Sequence, residues 1–240
     1  MIKRILRLIK RKRSFRNSFK EFQALSKINN RFDINWKDRW PCLYDNTDNT
    51  VFDFWYINHV AWAARIVAKI KPEVHIDISS SLYFCGVVSA FLPVKFYDYR
   101  PAKLNLSNLD TEPADLTKLP FENNSIKSLS CMHVVEHVGL GRYGDPIDPD
   151  GDLKAINELK RVLVKGGSLL FVVPIGRPRI QFNAHRIYSY DQITDYFSGF
   201  KLKEFALIPD NGDIEGIIYN ASQEMVNTQN YGCGCFWFEK

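Results

Sequence analysis

The sequence predicts a single α/β domain built on a doubly wound, mostly parallel sheet with an antiparallel last strand. Short apolar strands alternate with helical patterns from residue 52 onward, which is typical of strands joined by right-handed helical crossovers. Residues 168–175 are almost wholly apolar, as expected for a strand at the centre of a sheet that is covered on both faces. A chain of 240 residues, 45% of them hydrophobic, is long enough to bury one sizeable core.

The individual elements follow from periodicity and from residues that end helices. The helix predicted over 52–70 ends before Pro72, and the one over 153–163 is followed by Gly166 and Gly167. The further predicted helices are 82–91 and 190–197, and the predicted strands are 74–78, 94–98, 126–134, 168–175, 200–208 and 231–238.

The basic charge of the chain is concentrated at its start. Residues 1–20 hold nine Lys or Arg and no acid, so the rest of the chain has 23 basic against 27 acidic residues. The body is therefore slightly acidic, and we expect no nucleic-acid partner. We divide the chain into a basic N-terminal segment, 1–30, and a domain, 31–240.

The first residues of this segment have helical apolar spacing. Ile2, Ile5, Leu6 and Ile9 alternate with Lys and Arg, which predicts a short basic amphipathic helix. Such a helix is suited to an anionic membrane surface, so residues 1–20 are predicted either to contact a membrane peripherally or to form a solvated basic tail.

The number of cysteines and the lengths of the apolar runs indicate in which cellular compartment the protein is expected. The five cysteines are odd in number, and basic residues interrupt the first ten positions, unlike the apolar core of a secretory signal. The longest apolar run, 169–175, is far shorter than the roughly 20 residues of a membrane-spanning helix. We expect a cytoplasmic protein, either free or peripheral to the inner membrane surface.

Acidic residues at the predicted strand ends indicate a ligand site. Asp77 ends the first strand and is followed by the small residues Ser79 and Ser81 before a helix begins. Asp98 ends the next strand 21 residues later, which is close to the spacing of ribose-binding acids in nucleotide folds, and Asp115 follows. The order of these acids favours a nucleoside-like ligand, although each alone could be a cap or turn residue.

The segment 131–146 contains the pattern H-x-x-E-H, which in zinc peptidases places two histidines on one helix face. Here an apolar strand enters the motif, and residues that disfavour a long helix follow it: Gly139, Gly141, Gly144 and Pro146. We therefore predict a glycine-rich active-site loop without a metal, and keep a zinc hydrolase only as a remote alternative.

In this loop His133 is expected to contact the nucleoside-like ligand, which would be a cofactor. Glu136, His137, Arg142 and Asp145 are expected to face the substrate, where such groups can position or deprotonate a hydroxyl. The alternative is that Glu136 and His137 only brace the loop.

Other polar clusters have simpler interpretations. His185, in the polar loop 182–188, is either a general base or a structural histidine, and the site role is favoured. The acids of 148–152 are predicted to cap the following helix, because a calcium loop would place its glycine elsewhere. Cys233 and Cys235 are predicted to be packing residues.

Taken together, these motifs resemble class I S-adenosylmethionine-dependent methyltransferases over about residues 70–210. Residues 133–145, 174–177 and 182–186 look more closely like an uncharacterised bacterial family, related to those enzymes, whose members are often encoded among genes for surface polysaccharides. The motifs that carry the first resemblance are Asp77-x-Ser79-x-Ser81, Asp98, Ala114-Asp115-Leu116, His133-x-x-Glu136-His137 and the segment 159–167.

The resemblance implies a Rossmann-like fold and a cofactor, S-adenosylmethionine. It implies that Asp77, Ser79 and Ser81 line the methionine end of this cofactor and that His133 lies beside the sulfonium. Class I enzymes have glycines where this chain has Ser79 and Ser81, and a β-carbon there crowds the approach of a ligand to the backbone.

It also implies that Asp98 holds the ribose hydroxyls and that Asp115 and Leu116 border the adenine. The resulting prediction is a methyltransferase acting on a sugar or a lipid-linked glycan in surface polysaccharide synthesis. The alternative is a catalytically inactive binding or scaffold module that kept the fold and lost the cofactor.

Overall fold

The computed structural model describes residues 2–26 and 32–240, apart from the side chains of Ile2, Asp213 and Ile214. Residues 1 and 27–30 of the segment assigned from sequence therefore lie outside the described residues. The chain divides into two compact units, residues 1–52 and 53–240.

The described residues of the first unit form one long helix, α1 (Ile2–Ser26), and one 3-10 turn, Trp36–Asp38. The helix is far longer than the short one expected from Ile2 to Ile9. The rings of Phe15 and Phe19 contact the Trp36 indole at centroid distances of 6.0 and 4.9 Å, which ties the C-terminal half of α1 to the segment that follows. None of the described helices is both long and apolar enough to cross a membrane.

The second unit contains ten strands and six helices. The strands are β1 (His75–Ile78), β2 (Val94–Asp98), β3 (Leu109–Pro113), β4 (Ile126–Met132), β5 (Leu163–Ile175), β6 (Arg179–Gln181), β7 (His185–Ile187), β8 (Lys201–Ile208), β9 (Ile218–Tyr219) and β10 (Gly232–Glu239). The helices are α2 (Phe54–Ile70), α3 (Leu82–Val88), α4 (Gly151–Val162), α5 (Tyr190–Tyr196), α6 (Gly212–Glu215) and α7 (Gln223–Thr228).

Eight strands form one sheet in the order β3-β2-β1-β4-β5-β10-β8-β9. The five strands from β3 to β5 are parallel, whereas β10 is antiparallel to both β5 and β8, and β9 is antiparallel to β8. This confirms the predicted doubly wound sheet with an antiparallel last strand. The strand order reverses between β1 and β4, the place where such sheets form a crevice for ligands at their carboxyl ends.

Both faces of the sheet are covered by helices. Along β5, Phe171 packs into the core that contains α4 and α5, and its neighbour Val172 packs into the core that contains α2 and α3. Because alternate side chains of a strand point to opposite faces, a strand buried on both faces is apolar throughout. This explains the continuous apolar run from which β5 was predicted.

The main differences from the predicted elements are at the sheet edge and near the site. Strand β3 was not predicted, because its five residues include one buried side chain, Leu109, and no apolar alternation. The hairpin β6–β7 was also missed; its turn and its second strand lie in the segment 182–188, which was predicted to be a polar loop.

The predicted capping role of the acids in 148–152 is wrong in detail. Asp150 is at the N-cap of α4 but makes no side-chain capping bond. Asp148 accepts hydrogen bonds from the Asp150 backbone N–H and from Lys154 Nζ, and Asp152 accepts one from the Tyr188 hydroxyl. These acids therefore connect neighbouring segments rather than cap the helix.

Candidate functional site

Two cavities share lining residues at the carboxyl ends of the parallel strands, beside the reversal of strand order. The first has a volume of about 290 Å³ and includes Ser79, Asp98, Asp115, Leu116 and His133. The second, of about 490 Å³, includes Trp55, Tyr56, Ser81, Glu136, Arg142, His185 and Tyr231. Ser79, His133, His137 and Tyr143 line both.

The backbone is strained at the two strand ends that separate the cavities. Ser79, after β1, and His133, after β4, both have a φ of +57°. Left-handed conformations cost a residue with a β-carbon about 1–3 kcal/mol and cluster at functional sites. Here they are held by hydrogen bonds to adjacent strands: the Ser79 N–H donates to Tyr97 O at 2.7 Å and the His133 N–H to Val172 O at 2.8 Å.

Asp77 lies below the site rather than in it. Its carboxyl group is fully buried, accepts hydrogen bonds from the Ser80 N–H at 2.9 Å and from the Ser130 hydroxyl, and lines neither cavity. Burial raises its pKa to about 6. The expectation that Asp77 lines the methionine end of a ligand is therefore corrected: it fixes the turn that carries Ser79 and Ser80.

The other predicted nucleoside-binding residues do share one cavity. Asp98 and Asp115 each form a local turn, in which one carboxylate oxygen accepts from the backbone N–H two residues ahead, Arg100 at 2.6 Å and Thr117 at 2.8 Å. Leu116 is buried between the second of these turns and the core. Ser81 instead caps α3, accepting from the Tyr83 N–H at 3.3 Å, and lines the second cavity.

The H-x-x-E-H motif forms a single 3-10 turn, Val135–His137, as its glycine-rich context predicts. His133 Nδ1 lies 3.0 Å from Glu136 Oε1, and His137 Nε2 lies 3.9 Å from the same oxygen. Glu136 is 1% exposed, and its other oxygen, Oε2, has no hydrogen-bond partner among the described residues. In the part of the chain that the structure describes, the ligand atoms close enough to share an ion belong instead to His59, His133 and Cys233.

His137 is oriented by the backbone of the opposite loop. Its Nδ1 lies 2.6 Å from Ala184 O, so this nitrogen donates to the carbonyl, and Nε2 is turned toward Glu136 Oε1. Arg142 Nη1 donates to the same carbonyl at 3.1 Å. The Ala184 carbonyl therefore orients both His137 and Arg142, which line the second cavity.

Asp145 organises the loop. Its carboxylate accepts hydrogen bonds from the backbone N–H groups of Gly139, Gly141 and Tyr143 at 2.8, 3.3 and 3.1 Å. Partial burial would raise its pKa, but these hydrogen bonds outweigh burial and lower it. Asp145 also lines the first cavity, so its carboxylate positions the loop and its expected substrate-facing role stays a prediction.

The hairpin β6–β7 brings His185 into the second cavity. Its ring stacks on Tyr231 at a centroid distance of 4.9 Å, and its buried Nε2 has no partner among the described residues. Burial lowers the pKa of His185, so the ring is neutral near pH 7 and can accept a proton.

Sequence reasoning missed the aromatic wall of the second cavity. Trp55 stacks parallel to His133 at 5.9 Å, and its indole lies 4.6 Å from the Tyr231 ring. Tyr56 completes the wall. The aromatic start of α2 was visible in the sequence, but nothing local to it indicated that it lies against the end of β4.

The comparisons with known proteins agree with this fold. Residues 112–211 match the model of a family described as a Caenorhabditis protein of unknown function, DUF268. This match includes the 133–145, 174–177 and 182–186 segments that resemble an uncharacterised family. A search of curated proteins gave no match.

Among solved structures, one similar protein is 1,6-didemethyltoxoflavin-N1-methyltransferase from Burkholderia thailandensis with bound S-adenosylhomocysteine (TM-score 0.52, 10% identity, covering 78% of this chain and 81% of that one). Others are a protein from Bacillus halodurans designated a methyltransferase (0.52, 15%, 75% and 98%) and the YcgJ protein from Bacillus subtilis (0.51, 15%, 75% and 98%). The second unit of this chain therefore has the Rossmann-like fold of class I S-adenosylmethionine-dependent methyltransferases.

Proposed function

We propose that this protein is an S-adenosylmethionine-dependent methyltransferase that binds the cofactor in the first cavity and the acceptor in the second. The observation that carries the proposal is that the two cavities share lining residues at the reversal of strand order. Ser79, His133 and His137 belong to both, so a group held in one cavity can reach a group held in the other.

The residues of the first cavity fit the cofactor. Asp98 would accept hydrogen bonds from the ribose hydroxyls, and Asp115 and Leu116 would border the adenine. Ser79 replaces a glycine but keeps a glycine-like φ of +57°, and its hydroxyl donates to Tyr97 O at 3.1 Å. The volume of about 290 Å³ is near the lower end of ligand cavities, and the shared residues extend it into the second.

When bound, S-adenosylmethionine supplies an electrophilic methyl group. The chain's own residues would orient the acceptor and take its proton. His137, with Nδ1–H held by Ala184 O, and His185, kept neutral by burial, are the candidate bases. Arg142 and Glu136 would position the acceptor by charged hydrogen bonds.

The lining of the second cavity supports a sugar or lipid-linked glycan as the acceptor, methylated on an oxygen or nitrogen. The aromatic rings of Trp55, Tyr56 and Tyr231 offer flat apolar faces beside polar groups, which suits a polyhydroxylated ring. Glu136 Oε2 and His185 Nε2, both without partners among the described residues, are acceptors that sugar hydroxyls would satisfy. A role in surface polysaccharide synthesis is consistent with this chemistry.

We also propose that the protein works in the cytoplasm at the inner membrane surface. The described part of α1 carries nine basic residues, and Ile5, Leu6 and Ile9 are 52%, 59% and 56% exposed. Exposed apolar and basic residues on one helix favour binding to anionic lipid. Such a location would bring the enzyme near lipid-linked acceptors.

The test is titration calorimetry of the full-length protein with S-adenosylmethionine and S-adenosylhomocysteine. We expect saturable binding that Asp98→Asn weakens about 10-fold or more, because the variant loses a charged hydrogen bond worth roughly 1.5–3 kcal/mol. Asp110→Asn, an exposed acid on neighbouring β3, is the matched control and should bind as the wild type does. Absence of heat at millimolar concentrations would instead favour a scaffold that has lost the cofactor.

A further inference from the structure

We propose that His59, His133 and Cys233 form a buried binding site for a divalent zinc-like ion next to the second cavity, which His133 lines. One ligand atom from each residue lies within 4.8 Å of the other two. The three come from separate elements: α2, the strained residue after β4, and β10. His133 also lines both cavities.

Each imidazole is arranged as a metal ligand requires. His59 Nδ1 lies 2.7 Å from Trp55 O and therefore carries the proton, which leaves Nε2 as a lone-pair donor. His133 Nδ1 lies 3.0 Å from Glu136 Oε1, and its Nε2 lies 3.3 Å from Cys233 Sγ. In metal sites a backbone carbonyl or carboxylate commonly orients a histidine ligand through its other nitrogen.

His59 provides the independent indication of a ligand. The residue is 0% exposed, and its Nε2 has no hydrogen-bond partner among the described residues. A buried polar atom left without a partner costs about 1–3 kcal/mol, so such atoms in native proteins call for a ligand, ion or water. A metal ion coordinated by Nε2 removes that cost.

The donor set indicates the kind of ion. Two imidazole nitrogens and one thiolate suit zinc or its analogues, whereas magnesium and calcium prefer oxygen ligands. Zn–S and Zn–N bonds of about 2.3 and 2.0 Å place neighbouring donors about 3.5 Å apart. The Cys233–His133 separation of 3.3 Å already matches, and side-chain shifts on the order of 1 Å would close the remaining distances.

A different set of three side chains, Cys233, His133 and Glu136, lies in a row and could also suggest a cysteine nucleophile. Cys233, however, is 0% exposed and, unlike Glu136, lines neither cavity, so a substrate held in the cavities does not reach its sulfur. A metal ion fits the burial better, because its charge stabilises the thiolate and the thiol proton is released on binding. Three protein ligands leave a fourth position, which a water molecule can take.

The test measures metal binding alone, on the full-length protein, after chelator dialysis and without S-adenosylmethionine. We expect about one equivalent of Zn²⁺ by elemental analysis and competition titration. Co²⁺ substitution should give a thiolate-to-cobalt charge-transfer absorption in the near ultraviolet, which a site without sulfur would not show.

Variants identify the ligands. Cys233→Ser and His59→Gln should bind Zn²⁺ about 100-fold or more weakly, and Glu136→Gln about 10–100-fold more weakly, as expected for an outer partner. The matched controls are Cys131→Ser, another buried thiol, and His137→Ala, the second histidine of the H-x-x-E-H motif. Both should retain the wild-type affinity, with circular dichroism confirming that every variant is folded.

The proposal is overturned if folded wild-type protein binds no Zn²⁺ or Co²⁺ at millimolar metal, or if Cys233→Ser leaves the affinity and the cobalt spectrum unchanged. Loss of binding in His137→Ala would overturn it in favour of the H-x-x-E-H arrangement. Because no cofactor is present, these outcomes are independent of whether the methyltransferase proposal holds.

Discussion

Two buried titratable side chains on β1 respond to pH in opposite directions. His75 is hydrogen-bonded through both ring nitrogens to Ser128 and Ser130, at 2.7 and 2.8 Å, and burial lowers its pKa to about 3. Asp77, two residues later, has its pKa raised to about 6 by burial. The neutral form of each residue is therefore favoured by folding.

Replacing Asp77 with Asn should change the pH dependence of stability. A carboxyl whose pKa is higher in the folded state contributes stability below its unfolded pKa, near 4, and loses it as pH rises through about 6. The free energy of unfolding of Asp77→Asn should therefore rise relative to that of the wild type as the pH increases from 4 to 7, by up to about 3 kcal/mol at pH 7. Urea unfolding at both pH values measures this difference, and a constant offset between the two proteins would refute the assignment.

The backbone at Ser79 gives a second prediction at this scale. Ser79→Val places a β-branched residue at a φ of +57° and should lower the free energy of unfolding by about 1–2 kcal/mol. The free energy of unfolding of Ser79→Gly should stay within about 1 kcal/mol of the wild-type value. Glycine relieves the backbone strain, which stabilises the fold, but it loses the hydroxyl hydrogen bond and raises the entropy of the unfolded chain, which destabilise it. We expect calorimetry to show tighter S-adenosylmethionine binding in the glycine variant, and weaker binding there would contradict the proposed placement of the cofactor.

Among the elements, the hairpin β6–β7 holds the glycine-rich loop over the site. Arg186, 5% exposed, donates from Nη1 to Val138 O at 2.7 Å and from Nη2 to Pro149 O at 3.1 Å. Its Nε lies 3.5 Å from Asp152 Oδ1. The arginine thus joins β7 to both ends of the loop and to the start of α4.

Removing this arginine should loosen the loop. Arg186→Met leaves Asp152 as a buried charge without its cation and should cost about 3–5 kcal/mol in urea unfolding. The double variant Arg186→Met, Asp152→Asn should have a free energy of unfolding about 1–3 kcal/mol higher than that of Arg186→Met, since the uncompensated charge is gone. Arg179→Met, at a half-buried arginine of the same hairpin that makes no ion pair with Asp152, is the control. Additivity of the two single changes, Arg186→Met and Asp152→Asn, would rule out the proposed coupling.

At the scale of the whole molecule, positive charge is separated from the fold that carries the site. The first unit contains all nine basic residues of positions 1–20, and the remainder of the chain is slightly acidic. In the function proposed above, attraction to anionic lipid would depend on the first unit, whereas ligand binding would depend on the second.

Charge reversal on α1 should abolish vesicle binding without affecting the site. The variant Lys3→Glu, Arg7→Glu, Lys10→Glu should bind vesicles containing phosphatidylserine about 100-fold or more weakly, since each basic residue near such a surface contributes about 1 kcal/mol. The control reverses three exposed lysines of the second unit, Lys95, Lys103 and Lys165. Sedimentation with vesicles measures binding, and equal loss in both variants would contradict a specific role for α1.

The sequence predicted those helices and strands whose hydrophobic pattern is clear within the element itself. Strand β2 was predicted with the bounds that the structure shows, Val94–Asp98, and β5, α4 and α5 were placed within a few residues, apart from the start of β5. Edge strand β3 and the short hairpin β6–β7 were missed, because partly exposed strands of three to five residues leave no clear periodicity. For the site, sequence indicated the segments that line the cavities but not the contacts within them.

The sequence by itself determined the class of fold and the strand ends where ligands would gather, because burial of parallel strands and the turns after them leave signals within a few consecutive residues. Tertiary structure alone decided that Asp77 lies beneath the cavity, that Trp55 and Tyr231 line it, and that His59 and Cys233 approach His133. Cys233 and His133 are separated by 100 residues. Such contacts depend on how distant segments pack, which no local pattern encodes.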